Sequence, residues 1–505
     1  MLLPVEILTL IVAHTDADDR HALRAASRDL RSAVDAGCKA LTLTRPRTCT
    51  PAVAVPALHR AAACCHRWGG VRALTLKDLG AECIRPALAL LNSAARHCPE
   101  LSSITLTRLD RELSLALTSC LSSCRLASLT SLALAAPKHG QPLLLTPLGE
   151  LSSLTALTVV GRSSGASAAW LPPSLRRLRL GAHGMNDSGI GGTSWLDAIG
   201  ACCSLEVLEL SWLDPFDLGE KPDDPDEELD FSEFYASVGQ LTNLRELSGA
   251  FSGITFDNDD DDEDGADGYR IDCLEPDLLL PSLTALRRLA LYIGCDGRWD
   301  ELKPAVKGPL SSLAAQCATL EELAFDVEPE DDVDAALVPC FPRLDALNVT
   351  FTQHESYPPL LRQTFPAVSR LIVGGMASPD GAIMDFDAVA SLPCCTSLSI
   401  LVAPDGGELS FFGRMGALSG CSTLTHVRLC SLPQAPLEQC LELAIAPQIR
   451  VLEVHDCTFD KELSLDALAT SVRAVARRRE GFDVVVQQEQ IYPAPGLLSL
   501  EMLHN

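Results

Sequence analysis

Residues 175–180 read LRRLRL and residues 205–210 read LEVLEL. Each hexamer has the form L-x-x-L-x-L. Its last three residues alternate apolar and polar, the period of a strand with one face buried. The same form recurs outward in both directions. VRALTL starts at Val71, LSSITL at Leu101, LTSLAL at Leu129 and LTALTV at Leu154. Toward the C-terminus come a degraded LRELSG at Leu244, then LRRLAL at Leu286, LEELAF at Leu320, LDALNV at Leu344, VSRLIV at Val368, LSILVA at Leu398, LTHVRL at Leu424 and IRVLEV at Ile449. That makes fourteen copies at a mean spacing of about 29 residues. A period in this range marks a repeat architecture, in which one unit buries its apolar face only by stacking on the next.

Between the strands lie stretches such as PALALLNSAARHC (86–98) with helical spacing. The unit is therefore strand, turn and return segment. The pattern resembles the leucine-rich repeat family over residues 41–486. It implies an α/β fold: a solenoid with a curved parallel sheet and helices on its convex side. KALTLT (39–44) is expected to add a strand at the start and FDVVV (482–486) one at the end. The expected organisation is a helical segment over 1–37, the solenoid over 38–486 and a tail over 487–505.

Composition agrees. A chain of 505 residues exceeds an ordinary single core, and aromatics make up only 5%, so the interior must be layered from Leu, Ala and Val. The net charge of −27 disfavours nucleic acid as a partner. No uncharged apolar run reaches the length of a membrane span, and no membrane partner is expected. The 20 cysteines form no short secreted framework. This points to reduced thiols and a cytoplasmic or nuclear setting. Cys98, Cys317, Cys395 and Cys421 each precede a repeat's first leucine by three residues, and Cys203 by two. A shared phase reads as a packing position for a small buried side chain. Cys64, Cys65, His66 and His59 lack a second paired set for zinc, so no metal and no cofactor are expected.

Charge is concentrated in three interruptions. Residues 214–230 carry net −8, 255–277 net −10 and 326–334 net −6. Each is expected as a loop leaving a strand, all on one rim. They are either solvated decoration or an attractor for a basic client segment. In 257–272, Asp260, Asp262, Asp264 and Gly265 fit the start of an EF-hand loop. Ile271 then stands where its bidentate Glu is required, and Asp267 takes the apolar position, so calcium is not expected. GRSSG (161–165) fits G-x-S-x-G around Ser163, but it sits at a repeat strand's exit and not at a nucleophile elbow. The sequons NDS at 186 and NVT at 348 matter only in a secreted chain, and the second falls in an expected strand.

With no catalytic residues expected, the chain reads as a binding scaffold and not an enzyme. The concave-face candidates are Arg177, Arg179, Glu209, Glu246, Arg288, Tyr292, Glu322, His426, Arg428 and Glu453. In the first four repeats the same positions are mainly Ala, Ser and Thr. Almost no aromatics line the face, which argues against base stacking.

The N-terminal LPVEILTLIVAHTDADDRHALRAASRDLR (3–31) has Glu6, no basic leader and no small-residue cleavage site, unlike a signal peptide. Pro4 suits a first helical turn, and Ile7, Leu8, Ile11 and Val12 form one apolar stripe. Asp16 and Ser27 can cap two further helices. Such a short segment must dock on something: the first strand, as a solenoid cap, or another protein. Leu3, Pro4, Glu6, Ile7, Leu8 and Ile11, then Ser27, Arg28 and Arg31, resemble the start and end of the F-box motif. Thr15, Arg20 and Leu30 depart from it. The resemblance implies that Leu3, Pro4, Ile7, Leu8, Ile11 and Val12 insert into the adaptor subunit of a cullin-type (SCF) ubiquitin ligase. The repeats would then hold a protein client. The alternative is an interaction scaffold with no ligase link.

Overall fold

The structure is a computed structural model. It describes residues 39–44, 51–68, 70–77, 83–107, 120–121, 126–136, 143–144, 146–161, 163–164, 171–181, 194–213, 231–252, 274–294, 302–327, 340–351, 362–375, 384–385, 389–402, 411–412, 415–430, 442–455 and 483–487. The segment 1–37, most of the acidic insertions and the tail lie outside the described residues. The described residues fall into two compact units, one ending at Leu213 and the other starting at Phe231.

The first unit contains β1 (Ala40–Thr44), β2 (Ala73–Lys77), β3 (Ser103–Thr107), β4 (Ser131–Ala135), β5 (Ala156–Val160), β6 (Arg177–Gly181) and β7 (Val207–Leu213). Each strand pairs in parallel with the next. The register sets Leu41, Leu74, Ile104, Leu132, Leu157, Leu178 and Leu208 in one row. From Leu74 onward every member of the row is at most 1% exposed. The pattern dictates this: the fourth and sixth positions of each hexamer point the same way, into the layer behind the sheet.

That layer varies. It holds α1 (Pro51–Cys64) with a 3₁₀ turn Cys65–Arg67, α2 (Ile84–His97), a 3₁₀ segment Thr146–Glu150 and α3 (Ser194–Gly200). In α2, Pro86, Ala87, Leu90, Leu91 and Ala94 are buried at helical spacing. Pro86 lies in the first turn, where its missing N–H removes no bond.

The second unit contains β8 (Glu246–Ser252), β9 (Arg288–Gly294), β10 (Glu322–Val327), β11 (Ala346–Phe351), β12 (Arg370–Gly375), β13 (Ser397–Val402), β14 (His426–Cys430), β15 (Val451–His455) and β16 (Asp483–Gln487). These too pair in parallel in chain order. Behind them lie α4 (Ser232–Val238), α5 (Pro276–Leu279) and two 3₁₀ segments, Leu310–Leu313 and Met415–Gly420. Both units are leucine-rich repeat solenoid, and the extra strands expected near 40 and 484 are β1 and β16.

One pairing is interrupted. β9 and β10 pair only at Arg288↔Glu322 and Leu289↔Leu323. Beyond that point, Leu302–Pro304 runs antiparallel to Tyr292–Gly294, and Lys307–Gly308 pairs with Asp326–Val327. An inserted segment thus takes up the backbone groups that the separated strand ends leave open.

Two columns of hydroxyls stitch the repeats of the first unit. Ser128 Oγ donates to Leu101 O (2.9 Å), Ser153 Oγ to Leu129 O (2.9 Å) and Ser174 Oγ to Leu154 O (2.7 Å). Thr130 Oγ1 donates to Ser102 O at 3.2 Å and Thr155 Oγ1 to Thr130 O at 3.1 Å. Each bond ties a repeat to the one before it.

Four expectations need correction. Leu398 pairs with Leu371 and Val427, which hold the fourth hexamer position, so the hexamer is CTSLSI and Cys395 fills the first-leucine place. Cys203 is exposed; its neighbour Cys202, three residues before Leu205, is the buried one at 1%. Asp326 lies inside β10 and is 5% exposed, so the third acidic run starts within a strand. The second run ends within α5, where Asp277 occupies the first turn, the favourable end of the helix for an acid.

Candidate functional site

Odd positions of each strand face away from the packed layer, and register turns them into rows. In the first unit one row reads Thr42, Thr75, Thr105, Ala133, Thr158, Arg179, Glu209. The neighbouring row reads Ala40, Ala73, Ser103, Ser131, Ala156, Arg177, Val207. Small side chains thus give way to charged ones at β6 and β7. Arg177 is exposed. Arg179 Nε lies 2.7 Å from Glu209 Oε2 across the register, and Glu209 is only 6% exposed.

In the second unit the leading row reads Glu246, Arg288, Glu322, Ala346, Arg370, Ser397, His426, Val451, Asp483. Arg288 Nε stands 3.3 Å from Glu322 Oε2. Glu246 is half-buried at the start of β8. Tyr292 departs from expectation: it is 3% exposed, its hydroxyl accepts a bond from Asn348 Nδ2 at 3.3 Å, and burial pushes its pKa up to about 12. The inserted segment pairs directly with Tyr292 through Pro304. Tyr292 therefore orders the middle of this face and is not a free contact for a client.

The densest cluster is on β14 and β15. Glu453 takes an ion pair from Arg428, and His426 Nε2 and His455 Nε2 lie 3.3 Å and 3.4 Å from its carboxylate. Burial pushes the Glu453 pKa up. The Arg428 bond and charge, the His455 bond and the His426 charge outweigh it and hold the carboxyl below its ordinary value. Arg428 and Glu453 are 23% and 15% exposed, so both can still meet a ligand.

The ten candidates fall into four places: Arg177, Arg179 and Glu209 in the first unit, and Glu246, the Arg288–Glu322 pair with buried Tyr292, and the His426–Arg428–Glu453 cluster in the second. Three further residues of this face are His455, Asn348 and Asp326. Asn348 holds the third strand position, as Arg179 and Glu209 do, and Asp326 and His455 hold the fifth, so the same alternation reaches all three. Their polar character alone does not reveal that they are 5–9% exposed.

These arrangements offer paired, partly desolvated charges of both signs on a backbone platform, which suits recognition of a polypeptide. Ser163, from G-x-S-x-G, lies in a two-residue strand pairing with Leu143–Leu144. Gly161, which opens the motif, has φ 103°, a conformation that favours glycine, and its N–H donates to Gly181 O at 2.6 Å. Asn348 of the second sequon is inside β11. Among the described residues no group of three or more His, Cys, Asp or Glu is placed to hold a metal, and no helix is long and apolar enough to cross a membrane.

The chain matches no protein-family model and no curated protein. Solved structures to which it is similar, at low identity, include three complexes. One is the TLR13–ssRNA13 complex: 13% identity, TM-score 0.37, 84% of this chain and 62% of that chain, so this chain spans less than two thirds of it. Another is the yeast Rad7 and Elc1 complex: 14%, TM-score 0.38, 95% of this chain and 92% of that one. The third is the mouse RP105/MD-1 complex: 12%, TM-score 0.42, 86% and 70%.

Proposed function

We propose that the protein is a substrate-recruiting subunit of a cullin-type ubiquitin ligase. Its N-terminal F-box-like segment binds the ligase adaptor, and its open strand face binds a protein client. The observation that carries this is an order in the chain. Leu3-Pro4, the stripe of Ile7, Leu8, Ile11 and Val12, and Ser27-Arg28 with Arg31 stand directly before the first repeat strand. A solenoid cap requires an apolar stripe; it does not require this sequence of residue types.

The open face supports the client-binding half. The first unit presents Arg177 and the Arg179–Glu209 pair, and the second presents the Arg288–Glu322 pair and the Arg428–Glu453 cluster, each on parallel strands. The acidic insertions add attraction for a basic client segment. On this reading the protein does no covalent chemistry of its own, needs no cofactor, and works in the cytoplasm or nucleus. The cysteines of the described residues are all free thiols, which suits a reducing compartment.

The test is a pull-down with purified adaptor. The wild-type chain retains it, and the Pro4→Ala/Ile7→Asp variant does not. A wild-type chain that fails to bind leaves an interaction scaffold with no ligase link.

A further inference from the structure

A second surface stands out because its charge opposes the rest of the chain. Residues 39–100 hold nine Lys and Arg against three Asp and Glu, in a protein of net charge −27. They also hold three of its eleven histidines: His59, His66 and His97.

Of these, Arg60, Arg67, Arg85, Arg96 and the three histidines lie on the helical side. Neither α1, the Cys65–Arg67 turn, nor α2 contains an acidic residue. Arg85, Ala89, Asn92 and Arg96 are the exposed stripe of α2, spanning about 16 Å at 1.5 Å per residue. Arg60 and Arg67 are exposed on the adjoining segment. The two helices are held together where Ser93 Oγ donates to Ala62 O at 2.7 Å. Their C-terminal ends meet: the rings of His66 and His97 are 6.4 Å apart between centroids. That brings His66-Arg67 beside Arg96-His97. Among the described residues Arg60, Arg67, Arg85 and Arg96 form no ion pair, whereas Arg72 nearby is paired with Glu100 at 2.9 Å. No acid on the described residues of these helices offsets them, and like charges brought together repel one another.

We infer that the α1–α2 surface is a docking site for a carboxylate-rich polypeptide segment of a partner protein. Planar guanidinium groups bind carboxylates in paired hydrogen bonds, and four spread over two helices suit an extended acidic stretch. The neighbouring chemistry selects against other anions. For a nucleic acid, Trp68, the aromatic of this region, is 7% exposed and offers no stacking platform. An anionic membrane surface requires large apolar side chains to insert. The exposed large hydrophobics of the described residues are Leu278 and Ile445, neither on these helices. This site is separate from the open strand face and does not rest on the ligase reading.

The experiment uses the full chain and a fluorescein-labelled peptide of ten glutamates. Anisotropy is compared with a ten-glutamine peptide and a ten-nucleotide oligothymidine. The glutamate peptide binds, more weakly as salt rises, and the other two do not match it. Arg67→Glu/Arg96→Glu weakens binding by about tenfold or more. Arg343→Glu/Arg362→Glu, the same charge change at exposed positions of the second unit, leaves it within about twofold. Circular dichroism confirms that both variants fold. Equal loss in the two variants, equal binding of the glutamine peptide, or tighter binding of the oligonucleotide overturns the proposal.

Discussion

At the scale of the residue, stability comes from the repeated inward-facing side chains. Leu106, at the sixth hexamer position, is fully buried, and Leu106→Ala should cost about 3 kcal/mol, read from urea unfolding. Glu453 contributes differently. Its carboxyl titrates below the ordinary 4.5 because Arg428, His455 and His426 favour its charged form more than burial opposes it. A depressed folded-state pKa gives stability that is present above the unfolded value and lost as pH falls through the folded one. Glu453→Gln is therefore less stable than wild type at pH 7, and the gap closes below pH 4.5. Unfolding curves at both ends of that range check it; a gap that does not vary with pH contradicts the sign.

At the scale of the element, the repeat was legible because each hexamer states its own burial pattern. The register of β9 with β10, Arg288↔Glu322, follows directly from aligning LRRLAL with LEELAF. At β13 the same alignment slipped by three residues, because Cys395 replaces the leucine that marks the first position. The inserted segment at Leu302–Lys307 was not legible at all. Its bonds are to strands before and after it, and no local period announces such pairing. The serine columns were legible in principle, since Ser128, Ser153 and Ser174 each precede a first leucine by one residue. Their role depends on the preceding repeat's carbonyl, which only stacking supplies. Ser174→Ala should cost about 1 kcal/mol through loss of its 2.7 Å bond to Leu154 O, measured by thermal unfolding.

At the scale of the whole molecule, charge is distributed unevenly. The insertions 214–230, 255–277 and 326–334 carry most of the net −27, and the α1–α2 surface carries the opposite sign. Neutralising the acids of 257–267 to Asn and Gln should weaken a basic client peptide and flatten its salt dependence, measured at two salt concentrations. Unchanged affinity and slope would make the insertions solvating decoration. The candidate face was half legible: alternation located its residues, but the burial of Tyr292 and Glu209 came from neighbours that the sequence does not place. On the proposed reading the N-terminus binds an adaptor and the strand face binds a client. Purified adaptor is titrated calorimetrically into the full chain. One adaptor binds per chain, and binding is lost in Pro4→Ala/Ile7→Asp and kept in Arg428→Glu. No heat of binding with the wild-type chain, or equal binding by the Pro4→Ala/Ile7→Asp variant, would contradict it.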